Sequence, residues 1–388
     1  MKKTLKNSGS VKTGSVKTGS AKTGSVKAGS VRTITESAAY QSDPLNVYRL
    51  LCKDKDHNIL LESAEIDKKH LLKSLLLTNA AVKIVCNADT VTFSPLSKNG
   101  IAAIAFAAQQ LSTLAQLSFK KCQCEHTTAQ ALIAKFPIVA NELDEKSRLL
   151  AINPFESLRL YNRLENQTNH PFAVFLGGVF AFDMIAVSEQ LPPVVEGANT
   201  CPDFVYYLAE TLVIIDHERQ STEIIANIFS YEAHTSYSTQ ITERVADYKT
   251  LLSDDISPKP EADHPQIKTP FADLSAMITA DKSDQEFCDI VDHLKENIRA
   301  GDIFQVVPSR TFSLPCLDCE LAYQALKITN PSPYMFYLKD SEFCIFGASP
   351  ESAIKYQQHN RQVEIYPIAG TRPRGLKSDG SICLDLDS

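Results

Sequence analysis

The sequence predicts an α+β fold in which helices pack on antiparallel sheets, and three observations predict it. Short runs rich in β-branched and aromatic residues follow one another with polar turns between them, which is typical of antiparallel strands. Residues 82–86 and 90–93 form such a pair around the turn Asn87-Ala88-Asp89. Other segments carry apolar residues at helical spacing, and the one after Ser283 begins with a capping box that Glu286 completes.

Length and composition are those of an ordinary globular protein. A chain of 388 residues is long enough for a large core and two domains. Its 44% hydrophobic and 22% charged residues are average values. No run of about 18 apolar residues predicts a transmembrane helix, and the basic start lacks the apolar stretch of a secretory signal. We therefore expect a cytoplasmic protein that does not associate with membranes.

Charge is unevenly distributed along the chain. The net charge is −7, but residues 1–32 contain eight basic residues and no acidic one, so the remainder carries −15. A globular part this acidic is a poor candidate for nucleic-acid binding. From Gly9 onward the tail repeats Gly-Ser-Val-Lys-Thr every five residues, a composition typical of a flexible linker. We expect residues 1–32 to be a disordered extension; the alternative is a basic tail that contacts an acidic partner.

The rest of the chain divides into two parts and a connector. Four prolines lie among acidic residues and lysines in residues 253–272, which predicts a linker. We therefore expect one domain at 33–252 and a second at 273–388. The ten cysteines are scattered. The two close pairs, Cys122-x-Cys124 and Cys316-x-x-Cys319, lack a second pair at zinc-site spacing, so free thiols are expected rather than a metal or redox site.

The elements of the first part follow from local patterns. Residues 101–117 form an apolar, Ala-rich run that predicts a buried helix, and Pro154 suits the first turn of a helix at 153–164. Gly177 and Gly178 lie inside an apolar run, which indicates a bulge or close backbone packing. We also expect helices at 46–52 and 233–252, strands at 59–64, 204–208, 212–216 and 222–229, and a strand or helix at 71–77.

The second part begins with the capped helix. Its apolar residues Phe287, Ile290, Val291, Leu294 and Ile298 share one face, and Gly301 can end it. Residues 330–333 contain two prolines and must be extended or turned. We expect a further helix at 319–329 and strands at 303–307, 334–338, 343–348, 352–356 and 362–366.

The last of these strands leads into the loop Tyr366-Pro-Ile-Ala-Gly-Thr-Arg-Pro-Arg-Gly375. Gly370 permits a close approach of ligand to backbone, and Thr371 adds a hydroxyl. Arg372 and Arg374 can hold a carboxylate with paired donors. On local composition alone, a surface turn with two solvated arginines explains the loop at least as well.

Five segments together resemble component I of anthranilate synthase, a chorismate-utilising enzyme. They occur in the family's order and spacing, and the likeness covers roughly residues 40–388 and is closest to the enterobacterial type. The resemblance implies the family's α+β chorismate-binding fold, with residues 273–388 as an incomplete chorismate-binding domain. The segments are Leu60–Ala64, Gly301–Arg310, Asn330–Phe336, Phe346–Glu351 and Pro367–Gly375.

The resemblance also implies roles at matched positions. Gly370 and Thr371 look like chorismate-binding residues. Ser63, together with Pro333, Tyr334 and Met335, looks like the pocket for the allosteric inhibitor L-tryptophan. A serine hydroxyl can bond the ligand's carboxylate or ammonium, and a proline-rigid loop can form a wall for an indole ring. The structural alternatives are that Ser63 caps a strand end and that Met335 belongs to the core.

Ala369 distinguishes between related reactions. In relatives that form aminodeoxychorismate or salicylate, the matching position is typically lysine, which acts as nucleophile or base. Alanine can do neither, so ammonia itself is expected to add to the chorismate ring. This is the reaction of anthranilate synthase, a lyase that gives anthranilate and pyruvate in the first step of tryptophan biosynthesis.

The resemblance also implies what this chain lacks. Family members continue beyond Ser388 with the catalytic histidine and the glutamates that bind Mg²⁺, so we expect no catalytic or metal-binding residue here and no measurable chemistry. No Gly-x-Cys-x-Gly loop is present, so ammonia is expected from a glutamine amidotransferase subunit (component II), in a heterotetramer of two copies of each. The alternatives are a non-enzymatic tryptophan-binding remnant and a sister enzyme such as aminodeoxychorismate synthase component I.

Overall fold

The computed structural model has a mixed α+β architecture, as the sequence predicts. It describes residues 29–63, 73–124, 127–139, 143–187, 189, 201–230, 237–256, 277–367, 377 and 381. Within these ranges no helix is long and apolar enough to cross a membrane. The strands are β1 Ser30–Ala38, β2 Asn58–Glu62, β3 Lys73–Asn87, β4 Thr90–Pro95, β5 Gln116–Cys124, β6 Thr127–Lys135, β7 Glu165–Asn166, β8 Leu176–Phe180, β9 Phe204–Asp216, β10 Ser221–Ser230, β11 Thr279–Ala280, β12 Phe312–Ser313, β13 Tyr334–Lys339, β14 Cys344–Ser349, β15 Lys355–Gln357 and β16 Gln362–Glu364.

Seven α-helices accompany these strands in the described ranges, and side chains cap most of them. Asp43, Ser97, Asp144, Ser283 and Asp318 each accept a hydrogen bond from a backbone N–H in the first turn of a helix. Short 3₁₀ turns occupy Leu160–Arg163 and Phe182–Val187. The helices are α1 Pro44–Cys52, α2 Lys98–Leu111, α3 Glu145–Leu150, α4 Glu156–Arg159, α5 Ser238–Leu251, α6 Asp284–Ala300 and α7 Cys319–Thr329.

One 12-stranded sheet dominates the structure. Its main path runs β14-β13-β2-β3-β9-β10-β1-β7, while β4, β5, β6 and β8 branch from it. Neighbouring strands are antiparallel except for β1 and β7. The sheet includes strands from both sides of the predicted connector, because β13 pairs with β2. β1 begins at Ser30, three residues before the predicted domain start, since Val31 is fully buried in the core. The division into domains stays a prediction.

Helices cover the sheet and bury its apolar residues. α2 packs against a cluster that includes Phe93, Leu132 and Phe204. A second cluster joins α1, α5 and α7 to β2, β3 and β13 through residues such as Leu60, Leu76 and Met335. These helices are amphipathic or Ala-rich, so their burial follows directly from the sequence pattern.

Close backbone packing at Gly178 confirms the interpretation of the glycine pair. A Cβ added at Gly178 would lie 2.2 Å from the carbonyl oxygen of Val205 on β9. Such a contact cannot be relieved by rotating a side chain, so the short strand β8 needs glycine where it crosses Tyr206.

Several predicted elements were wrong in extent. The helix at 101–117 ends at Leu111 and is followed by β5, and the helix at 153–164 is a single α-turn continued as 3₁₀. The strands at 204–208 and 212–216 are one strand, β9, because Glu210 lies buried within it and pairs with Arg244 of α5 instead of marking a turn. No strand forms at 303–307, where Phe304 is fully exposed and no described strand pairs with it.

Candidate functional site

Ser63 and the loop after α7 meet at one end of the β2–β13 ladder. The register pairs Leu61 with Phe336 and Glu62 with Met335. The next residues along the two strands, Ser63 and Tyr334, therefore lie side by side. This contact joins segments that are far apart in sequence, and it brings together the residues that the resemblance assigns to one pocket.

The Ser63 hydroxyl is the unusual polar group at this position. Its Oγ atom is buried and finds no hydrogen-bond partner in the described part of the chain. A buried polar group without a partner costs about 1–3 kcal/mol. A ligand oxygen or ammonium group that bonded this hydroxyl would remove that cost, so the atom is a candidate contact for a small polar ligand.

The facing loop offers three different surfaces. Pro333 is half-buried, Tyr334 is 47% exposed and Met335 is only 1% exposed. Side chains alternate along β13, so Tyr334 and Met335 point to opposite faces. Met335 packs in the core cluster of α1, α5 and α7, which supports the structural alternative for this residue. Pro333 and Tyr334 are thus the members of the loop that a ligand can reach.

Next to Ser63, the Glu62 carboxylate is buried and fully bonded. The Tyr323 hydroxyl donates to Oε1 at 2.6 Å, and Lys327 Nζ donates to Oε2 at 2.7 Å. Both donors come from α7. Burial lowers the pKa of Lys327, but the carboxylates of Glu62 and Asp43 outweigh it, so that pKa is raised. Burial and the Glu62 carboxylate also raise the pKa of Tyr323. These bonds hold α7 against β2, the strand that ends directly before Ser63.

Sequence reasoning missed this carboxylate cluster. Glu62 was treated only as the polar end of an apolar run. Its partner Lys327 is 265 residues away, and the amphipathic pattern of α7 says only that Lys327 lies off the apolar face. One signal in the sequence pointed to a buried carboxylate. Glu62 is an acidic residue directly after Leu60 and Leu61, in a strand too apolar to lie at the edge of a sheet.

The other predicted site residues, Gly370 and Thr371, lie outside the described residues, as do Ala369, Arg372 and Arg374. The described chain leads toward them through the β15–β16 hairpin to Tyr366. A hydrogen bond to Glu364 raises the pKa of Tyr366, and Tyr334 contributes further.

Comparison with known proteins adds an independent result. The family model described as chorismate binding enzyme matches residues 116–381. A relative from Vibrio cholerae named anthranilate synthase component 1 is 44% identical over 350 residues, which is 90% of this chain and 63% of the relative. The relative of the same name from Escherichia coli is 42% identical over 92% of this chain and 65% of its own length.

A solved structure, anthranilate synthase component I from Streptococcus pneumoniae, covers 76% of this chain and 53% of its own chain at 17% identity. Its TM-score is 0.41, which supports no conclusion about the fold. The chain thus spans just under two thirds of the length of the curated relatives that it matches.

Proposed function

Because the chain belongs to the family of chorismate binding enzymes, we propose that it is the large component of anthranilate synthase. The reaction converts chorismate and ammonia to anthranilate and pyruvate, the first step of tryptophan biosynthesis. The observation that carries this proposal is the 44% identity over 90% of the chain to a relative of that name. The proposed activity is that of the whole enzyme. The matched relatives have longer chains than this one.

The proposed chorismate site includes Gly370 and Thr371. A glycine lets the backbone approach a flat ring acid, and the threonine hydroxyl can bond one of its oxygens. The neighbouring Ala369 can act neither as nucleophile nor as base, so ammonia itself adds to the ring. A lysine at this position would supply its own nucleophile and lead to a different product.

Two further components belong to the proposal. Ammonia comes from a glutamine amidotransferase subunit, component II, in an assembly of two copies of each. Mg²⁺ offsets the charge of the substrate carboxylate in enzymes of this kind, but no group of described residues fits a metal ion, and we assign it no step here. We place the enzyme in the cytoplasm, because the described cysteines are free thiols.

L-Tryptophan is the proposed ligand at Ser63, as a feedback inhibitor. The unpaired hydroxyl can bond its carboxylate or ammonium group, and Pro333 with Tyr334 can contact the indole ring. Ser63 directly follows β2, before the predicted connector, and Tyr334 lies on β13, after it. A ligand that binds better in one arrangement of these strands shifts their equilibrium, which is the physical requirement for inhibition at a distance.

Replacing Ser63 with alanine tests this ligand site. Because the proposed ligand bonds this hydroxyl, Ser63→Ala should weaken L-tryptophan binding about 10-fold or more by calorimetry. It should raise the free energy of unfolding by about 1–3 kcal/mol, because the cost of the unpaired hydroxyl is removed and no hydrogen bond within the described residues is lost. The matched control is Ser157→Ala, whose buried hydroxyl donates to the Pro154 carbonyl at 2.6 Å. That variant should lose about 1 kcal/mol of stability and keep its tryptophan affinity. No binding heat in the folded wild-type chain would refute the site.

A chimera tests the reaction itself. The part of the Vibrio cholerae relative that lies outside the matched region is joined to this chain and assayed with chorismate, ammonium and Mg²⁺. We expect anthranilate and pyruvate in equal amounts. Ala369→Lys should abolish anthranilate formation, whereas the small substitution Ala369→Ser should retain it. Aminodeoxychorismate or salicylate as the product of the unaltered chimera would contradict the proposal and favour a sister enzyme.

A further inference from the structure

Two thiols meet at the start of α7, and a third cysteine lies on β14, against which this helix packs. Cys316 Sγ lies 4.0 Å from Cys319 Sγ and donates to it. Cys344 of β14 lies near Cys319: both side chains pack against the same core cluster, and after burial the Cys344 thiol is the next cause that raises the pKa of Cys319. Spacing along the chain shows only the first two cysteines; the fold supplies the third.

The three cysteines differ in their exposure to solvent. Cys316 is exposed, while Cys319 and Cys344 are half-buried and pack against the core cluster of α1, α5 and α7. Cys316 is therefore the thiol that a dissolved reagent meets first, and Cys319 lies directly behind it. The contact between an exposed thiol and a half-buried one favours covalent thiol chemistry at this place.

We propose that Cys316 and Cys319 form a reversible thiol–disulfide site that is oxidised by low-molecular-weight disulfides. The Cys316 thiolate attacks one sulfur of the small disulfide, forming a mixed disulfide and releasing one thiolate. The Cys319 thiolate then attacks the Cys316 sulfur, forming the Cys316–Cys319 bond and releasing the second thiolate. Two protein thiols are oxidised, the small disulfide is reduced to two thiols, and the protons lost by the cysteines balance those gained by the leaving groups.

The geometry permits this closure. A disulfide requires the sulfurs to move from 4.0 Å to about 2.0 Å apart. The Cys316 side chain is exposed and free to turn, whereas Cys319 is fixed as the first residue of α7. The bond would tie the chain that precedes α7 to the helix that holds Glu62 through Tyr323 and Lys327.

The exchange is expected to be slow at neutral pH and faster in base. Burial, followed by the adjacent Cys319 thiol, raises the pKa of Cys316, and burial also raises the pKa of Cys319. Because the thiolate is the attacking species, the rate should increase about 10-fold per pH unit near neutrality.

Mass spectrometry of the oxidised full-length chain tests the proposal. The reduced protein is equilibrated with glutathione disulfide and glutathione, acid-quenched, alkylated and digested with trypsin. Cys316 and Cys319 share the tryptic peptide 311–327, whereas Cys344 lies in 340–355. We expect peptide 311–327 to lose two hydrogen atoms at glutathione disulfide levels about 10-fold or more below those that modify Cys288, because its second step is intramolecular. Cys288 on α6 is exposed and serves as the internal control for a single thiol.

Two variants keep the outcome decisive. Cys316→Ser and Cys319→Ser should each accept glutathione on the remaining thiol only at the level that modifies Cys288. Cys316 is exposed, so its replacement is not expected to affect folding. A wild-type peptide 311–327 that stays reduced while Cys288 is modified would overturn the proposal. A cross-link between peptides 311–327 and 340–355 would overturn it as well, since Cys344 would then replace Cys316 as the partner.

Discussion

Replacing Lys327 with methionine is expected to lower the free energy of unfolding by about 3–5 kcal/mol. The Glu62 side chain is 1% exposed, and Lys327 is the cation that compensates it, at 2.7 Å. Removing that cation leaves a buried carboxylate whose one remaining donor among the described residues is the Tyr323 hydroxyl. The pKa of Lys327 is raised, so its contribution is complete at pH 7 and would be lost only as the pH rises through that pKa, above about 10.4. Urea unfolding at pH 7 measures the effect.

The double variant Glu62→Gln/Lys327→Met shows whether the loss comes from the uncompensated charge. Removing both charges restores a neutral site, so most of the lost stability should return. Lys295→Met is the surface control, because the Lys295 side chain is 55% exposed and its pairing with Asp292 contributes about 0.5 kcal/mol at most. A single variant as stable as this control would contradict the assigned role of Lys327.

Local signals in the sequence predicted the ends of two helices in the second part of the chain correctly. The capping box of Ser283 and Glu286, the end of α6 at Gly301 and the bounds of α7 are all confirmed. These features depend on interactions within a few residues, which the sequence displays directly. Residues 303–307 are apolar like the segments that do form strands. A strand exists only when a neighbouring strand pairs with it, and no described strand pairs with these residues.

The candidate site was predictable only in part, because contacts between distant segments are not visible in the local sequence. Its residues were proposed from resemblance, and the β2–β13 register brings Ser63 beside Tyr334. The groups that hold this arrangement, such as the Glu62–Lys327 pair, are contacts between distant segments. A buried carboxylate becomes visible only when its partner is known. Glu210 in β9 was misread as part of a turn because its partner, Arg244, lies on α5.

Asp340 holds the second buried charge on which stability should depend strongly. It follows β13, and its side chain is fully buried. Lys83 of β3 donates to it at 2.9 Å, the Tyr207 hydroxyl of β9 donates to its other oxygen, and the Glu342 amide donates at 3.0 Å. Asp340→Ala should lower the free energy of unfolding by about 3–5 kcal/mol, because the Lys83 ammonium, itself 14% exposed, loses its carboxylate. Asp292→Ala, at a side chain that is 74% exposed, is the matched control and should cost less than about 0.5 kcal/mol.

The pH dependence distinguishes this charge from simple packing. Burial acts to raise the pKa of Asp340, but the hydrogen bonds from Lys83 and Tyr207 outweigh it and the pKa is lowered. A carboxylate with a lowered pKa stabilises the fold above its unfolded pKa of about 3.9 and loses that effect as the pH falls through the folded pKa. The stability difference between wild type and Asp340→Asn should therefore be constant from about pH 7 to 8. It should shrink below about pH 4. His57 lies 3.8 Å from Asp340, and burial lowers the pKa of His57. The titration of His57 therefore affects the stability difference only between about pH 4 and pH 7. A difference that stayed constant down to pH 2 would show that shape, not charge, explains the role of Asp340.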